Sequence, residues 1–251
     1  GIFNTKDLWA SNALFLNDSS ELKYGLNLSC DKFKEIFLSI SDNKTKEKFN
    51  KFYNNYMEII LKTNSFVVSF CEDGDLLSQW RGYTKDYDGI SIGFNHNLLR
   101  EYTCNNIFKV VYEYDKQIEM LNLIFDTLRK IFLNYEKNNK LDIVTCLNHW
   151  ILNLIITLLS MKDASFSEEK EWRIIYNIDT LENRKIDFRV KNNYILPYIK
   201  LPISSLEEMV QNITLGPPSK NIMLEMSIRY FFKKMCYNNV IIAQSRIPYR
   251  T

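Results

Sequence analysis

The stretch Ser165-Phe-Ser-Glu-Glu-Lys-Glu-Trp-Arg-Ile-Ile175 decides how this chain is read. From Trp172 onward, Trp172, Ile174 and Tyr176 alternate with Arg173 and Ile175. Residues i and i+2 of a strand point the same way. The alternation predicts a strand with Glu169, Glu171 and Arg173 on one face, and with Trp172 and Ile174 packed in a core on the other. Two carboxylates and a guanidinium on one side of a strand form either a solvated, ion-paired edge or the floor of a site. Most charge clusters lie at surfaces, so the second reading depends on the rest of the chain.

Around that strand the pattern is mixed. Leu8–Asn12, Ser65–Cys71, Gly89–Phe94 and Ile107–Tyr114 read as strands from their β-branched and aromatic content. Further strands are expected near Lys185–Val190, Tyr198–Leu201, Ile213–Leu215 and Val240–Gln244. Amphipathic helices are expected at about Ser20–Leu38 and Lys44–Leu61, with one helical turn at Leu76–Arg81. Ile118, Leu121, Ile124, Leu128, Ile131, Phe132 and Tyr135 recur at helical spacing, and a second long helix follows over Leu141–Lys162. Gly216-Pro-Pro-Ser219 ends a strand and opens a helix to about Lys234. The expected class is α+β: one domain over residues 1–251 with a mixed or antiparallel sheet and a helical insert at about 115–163.

Composition limits the chemistry. The 251 residues carry 32 basic and 30 acidic side chains, a formal net charge of +2 that gives no electrostatic footprint for nucleic acid. With only two histidines, His96 and His149, a zinc site or a histidine-based triad has little support. Five scattered cysteines without a Cys-x-x-Cys pair read as reduced, mostly buried thiols of a cytoplasmic protein. Val144–Met161 is strongly apolar but short for a membrane span and holds Asn148, His149 and Asn153, so a helix buried in a core is expected. Being apolar nearly all round, it needs contact on more than one side, and a partner chain or second copy is one source of that contact.

Four polar clusters adjoin predicted strand ends. Ser11 stands with Asn17, Asp18 and Glu21, although helix capping accounts for the last two. Ser78-Gln-Trp-Arg-Gly-Tyr83 and Tyr87-Asp-Gly89 set Trp80, Tyr83 and Tyr87 beside Arg81, a wall for a flat ring or a packed core with a tight turn. The glutamate–arginine strand, preceded by Lys162 and Ser167, is the third, and Ser245-Arg246 the fourth. Gly216-Pro-Pro-Ser-Lys220 offers helix N-terminal amides to an anion but lacks the spacing of a phosphate-binding P-loop.

Taken in order, these segments resemble a bacterial family known as domain of unknown function 2971. The resemblance rests on Leu8-Trp-Ala-Ser11, Asn17-Asp18, Glu21, Ser69-Phe70, Ser78-Gln-Trp80 with Tyr83, Gly89–Phe94, Glu169-Lys-Glu-Trp-Arg173, Ile213–Gly216 and Ser245–Tyr249. Members begin with a short Tyr-rich strand, which implies an N-terminal strand ahead of this sequence. They look like effectors of bacterial anti-phage defence or toxin systems, and their layout is similar to that of ADP-ribosyltransferases. By that analogy Ser69 is the middle-strand serine, Tyr83 or Tyr87 stacks on nicotinamide, and Glu171 or Glu169 is the catalytic carboxylate. The analogy makes NAD a substrate and asks for no metal. Trp80, Arg81, Ser11, Asn17 and Arg173 complete the expected binding set.

Two other readings stay open. Asp18, Glu21, Glu169 and Glu171 form the oxygen ligands of a magnesium-dependent nuclease in one. In the other the chain is a non-enzymatic binding or sensor module, with the helices of 115–163 as its interface.

Overall fold

Strand and helix periods alternate along the chain because it builds two sheets and a helical layer. The computed structural model describes residues 1–16, 20–62, 64–84, 89–138, 142–178, 186–191, 194–217, 222–237 and 239–248. In chain order the first elements are α1 (Ile2–Thr5), β1 (Asp7–Asn12), α2 (Ser20–Ser39), α3 (Asn43–Lys62), β2 (Asn64–Cys71), α4 (Leu77–Tyr83) and β3 (Ile90–Phe94). They are followed by α5 (His96–Tyr102), β4 (Ile107–Lys109), α6 (Tyr114–Asn138), α7 (Ile143–Leu159) and β5 (Glu171–Ile178). The last are β6 (Ile186–Lys191), β7 (Tyr194–Pro202), α8 (Leu206–Met209), β8 (Val210–Leu215), α9 (Ile222–Lys234) and β9 (Ile241–Gln244). The class is α+β, as the sequence predicts.

Strands order β4-β5-β2-β1-β7-β6 in a six-stranded sheet whose neighbours are all antiparallel. A second sheet, β3-β8-β9, pairs its first two strands antiparallel and its last two parallel. Directly opposed residues share a face. Val67 and Ile175 are opposed, and their face packs on α2, α3, α6 and α7 through Phe33, Phe125, Trp150, Leu154 and Leu158. The other face carries Leu8, Ile107 and Ile174, which pack on Ile213 and Leu215 of the second sheet. The large sheet is therefore sandwiched between helices and the small sheet, both of its faces apolar in the middle.

The two long helices pair antiparallel-fashion from neighbouring chain segments, and α2 packs on both. Gly25 sits where α2 crosses α7: a Cβ there would meet Leu158 Cδ2 at 3.1 Å. Trp150 of α7 reaches over to donate to the Ile124 carbonyl of α6 at 2.7 Å. Most of the apolar girth of α7 is met by α2, α6 and β5 of the same chain, while Val144 and Leu152 stay exposed. The 115–163 segment is part of the main helical layer rather than an appended hairpin. Among the described residues no helix is long and apolar enough to cross a membrane.

Three expectations need correction. Glu169 is not in the strand: Ala164–Glu169 forms a 3-10 helix started by Asp163, whose side chain accepts from Ser165 N, and β5 begins at Glu171. Lys170 turns the chain between them in the left-handed region, at φ 43° and ψ 53°. The strand expected over Ile107–Tyr114 stops at Lys109, because Val111 leaves the sheet to pair with Ser160 and Lys162, and Tyr114 already begins α6. The thiols are free but not buried: Cys104 and Cys236 are exposed, and Cys30, Cys71 and Cys146 are intermediate. The helix expected from Gly216-Pro-Pro-Ser219 starts at Ile222, and its approach through Pro218–Lys220 lies outside the described residues, as do Asn17, Asp18 and Tyr87.

Candidate functional site

The strand register carries the site. On the helix-facing side of the large sheet, Arg173 of β5 opposes Ser69 of β2, and Glu171 opposes Cys71. Ser11 of β1 is on the same side, opposed to Val67 on one flank and to Tyr198 of β7 on the other. Toward one end this face is covered by helices. Toward the other it carries polar side chains.

Glu171 and Arg173, 4% and 1% exposed, meet side-on. Arg173 Nε donates to Glu171 Oε1 at 2.7 Å and Nη2 to Oε2 at 2.8 Å, the paired geometry in which Arg grips a carboxylate most strongly. The remaining fork of the guanidinium donates from Nη1 to the carbonyl of Leu159, the last residue of α7, at 2.8 Å. A cation at a helix C-terminus is favourable twice over, satisfying a free carbonyl and opposing the helix dipole. Lys162 bridges the cluster outward, with Nζ 3.3 Å from Glu171 Oε2 and 2.7 Å from Glu169 Oε2. Its ammonium also lies 4.6 Å from the ring centre of Phe166.

The backbone beneath Lys162 is fixed by buried Gln117 of α6. Gln117 Nε2 donates to the carbonyls of Val111 and Lys162, both at 2.8 Å, and its Oε1 accepts from Tyr24 at 2.8 Å. Tyr112 accepts from the Glu171 amide at 2.9 Å. Gln117 and Tyr112 were not singled out in the sequence. The available signal was a glutamine at a helical position whose neighbours on that face, Leu121 and Phe125, are core.

Electrostatics follow from these contacts. Burial alone would push the Glu171 carboxyl up, but the hydrogen bonds and charge of Arg173, the charge of Lys162 and a hydrogen bond from Ser69 outweigh it and hold it below the ordinary carboxylate range. Burial, with the nearby Glu169 and Glu171 charges, pushes the Cys71 thiol up to about 11. A carboxylate offers about four acceptor positions. Those of Glu171 include two taken by Arg173 and one by Lys162. Glu169 is different: its side chain is 22% exposed and, among the described residues, bonds only Lys162. Glu169 is the carboxylate of the pair with capacity for a ligand.

These residues line a cleft of about 1260 Å³ shared by both sheets. Of the expected site residues, Ser11, Ser69, Trp80, Tyr83, Glu169, Glu171 and Arg173 all line it. Arg81 is exposed on α4 and does not line it, and Asn17 and Tyr87 lie outside the described residues. Trp172 was expected in the core. It packs half-buried against the core that holds Ile107 and Ile174 and also forms the cleft wall, its Nε1 donating to Glu72 at 3.0 Å and its ring edge-on to His96 at 4.7 Å. Ile174, on the same face, is buried as expected. Arg189 and Lys162 also line the cleft.

Asp75 holds the aromatic wall in place. It accepts from Trp80 Nε1 at 2.9 Å, from Ser245 Oγ at 2.6 Å and from the Arg246 amide at 2.7 Å. The second and fourth sequence clusters are therefore one unit, joined by an aspartate that the sequence marks only as a turn residue. Burial raises the Asp75 carboxyl, yet Ser245, the Arg246 amide and Trp80 together leave it below its ordinary value. Asp75→Ala strands the buried Trp80 N–H and is expected to cost about 1–3 kcal/mol. Hydrogen exchange should show the loss as faster exchange in β9 and α4. A uniform effect over the whole chain would contradict the local role.

The magnesium reading fits this geometry poorly. Glu169 and Glu171 converge on the ammonium of Lys162, which occupies the position a cation shared by them would take. Its other two ligands, Asp18 and the side chain of Glu21, lie outside the described residues.

A family profile described as Protein of unknown function (DUF2971) matches residues 79–174. The match is narrower than the resemblance read from the sequence: it holds Trp80, Tyr83, Glu169, Glu171 and Arg173 but not Ser11, Ser69 or Ser245–Tyr249. Neither a curated protein nor a solved structure matches the chain. An ADP-ribosyltransferase-like layout is supported by none of these comparisons. Residues 79–174, the part that builds the aromatic wall and the ion-paired floor, are similar to the DUF2971 family.

Proposed function

We propose that the cleft binds NAD and cleaves its nicotinamide–ribose bond, transferring ADP-ribose to water or another acceptor. The observation that carries this reading is the meeting, in one cleft, of a carboxylate with open acceptor capacity, Glu169, and of the aromatic rings of Trp80, Tyr83 and Trp172. A volume of about 1260 Å³ exceeds the few hundred to about 1,000 Å³ typical of small-ligand pockets and suits an elongated dinucleotide.

The chemistry needs little beyond these groups. When the bond breaks, its electron pair goes to the nicotinamide nitrogen, neutralising the pyridinium, so the leaving group takes no proton. Positive charge develops on the ribose as an oxocarbenium ion, as in glycoside cleavage. Glu169, accepting from a ribose hydroxyl, stabilises that charge, and the attacking acceptor loses its proton to the same carboxylate or to solvent. Lys162 and Arg173 fix the carboxylates, and Tyr83 stacks on the flat ring.

A second reading is favoured by one specific observation. Glu171 is buried and bound twice by Arg173 and once by Lys162, as suits a scaffold beneath a non-enzymatic binding site. Nicotinamide release by the purified protein in the presence of chelator separates the two. The enzyme reading expects release that Tyr83→Ala reduces by raising KM about tenfold, on the scale of an aromatic stacking contact. NAD binding without release leaves the binding module. Magnesium-dependent degradation of nucleic acid contradicts both.

A further inference from the structure

We propose that Arg189 is the anion-binding subsite of this cleft and holds a phosphate of a small phosphorylated ligand. Under the NAD reading, on which it rests only for the identity of the carrier, that phosphate is part of the pyrophosphate.

Arg189 lies on edge strand β6, where it opposes Leu196 of β7 and shares the polar face of the sheet with Tyr198, Ser11 and Arg173. Its guanidinium lies against the packed ring pair of Trp9 and Tyr198, 5.5 Å from the centre of the first and 5.6 Å from that of the second. Nη2 donates to Ser11 Oγ at 2.8 Å, which fixes the plane of the fork. Nε is buried and, among the described residues, has no hydrogen-bond partner.

The comparison with Arg173 is direct. In Arg173 the Nε and Nη2 edge is filled by the two oxygens of Glu171. In Arg189 the same edge meets no carboxylate among the described residues. The nearest acidic side chain on its own strand face, Asp187, is bound to Lys200 at 2.6 Å. Lys162 and Arg173, the other cations of the cleft, are both ion-paired. Arg189 is thus a cleft-lining guanidinium held against two rings and by Ser11, with an unsatisfied donor and no counter-ion among the described residues. A planar fork of that kind suits phosphate oxygens, and the fixed side chain loses little entropy on binding.

The test uses inorganic pyrophosphate as the probe, titrated calorimetrically into the whole protein. Wild type is expected to bind in the millimolar range or tighter, and Arg189→Gln to bind at least about tenfold more weakly, the scale of one charge-assisted contact. Should Arg189→Gln fail to fold, Arg189→Lys decides: it keeps the charge and loses the fork, so a loss of about threefold or more is expected. No pyrophosphate binding by wild type, or unchanged isotherms in the variants, overturns the subsite. The NAD reading fails separately. Arg189-dependent pyrophosphate binding in a protein that releases no nicotinamide keeps the subsite and removes that reading, whereas nicotinamide release with KM unchanged in Arg189→Gln does the reverse.

Discussion

Glu171→Gln is expected to lower the free energy of unfolding by about 3–5 kcal/mol, because it leaves Arg173 and Lys162 buried without their shared counter-charge. That makes it one of the most damaging single changes available in the chain. The amide can accept one of Arg173's hydrogen bonds, but it presents an N–H₂ to the other. Replacing the pair together, Glu171→Leu with Arg173→Met, should recover part of the loss, since apolar groups of similar volume tolerate such positions. Recovery will be incomplete: Lys162 loses Glu171, and the Leu159 carbonyl loses its donor. Urea denaturation measures all three proteins. A change below about 1 kcal/mol for Glu171→Gln would mean that the cluster is hydrated and the burial argument wrong.

The pH dependence has a fixed sign. The folded-state carboxyl of Glu171 is depressed below its unfolded value, so its contribution to stability is present above the ordinary carboxylate range. It is lost as pH falls through the lowered folded value, because the unfolded chain takes up the proton first. Asp75 acts in the same direction. Stability of the wild type should therefore fall steeply below the carboxylate range, and less steeply in Glu171→Gln.

Glu169→Gln is the second large effect, and it falls on activity instead. Under the proposed cleavage of NAD, losing that charge should slow nicotinamide release about 10²–10³-fold, as for one deleted transition-state donor or acceptor. Stability should change by about 1 kcal/mol or less, because Glu169 is at the rim and Lys162 keeps Glu171. The pair of variants separates roles that the spacing Glu-x-Glu makes look equivalent. Glu171 loses fold and activity together, whereas Glu169 loses activity with the fold retained. Equal release by Glu169→Gln and wild type would remove Glu169 from the reaction.

How far the sequence reaches depends on the kind of signal. Alternation and helical spacing report burial along one element, so β2, β5, α6 and α7 are legible within a few residues. Glu171 and Arg173 on one strand face, opposite Ile174, follow from period 2 alone. Lys170 shows where that rule fails: a residue in the left-handed region between a 3-10 turn and the strand resets the register, and Glu169 is brought back to the cluster only through Lys162. Contacts between distant segments leave no local pattern. Asp75 joins Trp80 to Ser245, and Arg189 meets Ser11 across 178 positions. Neither has any mark in a single sequence beyond being polar near a strand. The reading of Trp172 as core was incomplete because an indole fills two roles at once, apolar on its faces and a donor at Nε1.

Calorimetric titration of NAD into the purified protein tests directly whether the cleft lined by residues of both sheets is a dinucleotide site. A saturable single-site isotherm is expected, weakened about tenfold by Tyr83→Ala and by Arg189→Gln. Heats indistinguishable from dilution at millimolar NAD, or isotherms unchanged in both variants, would contradict it.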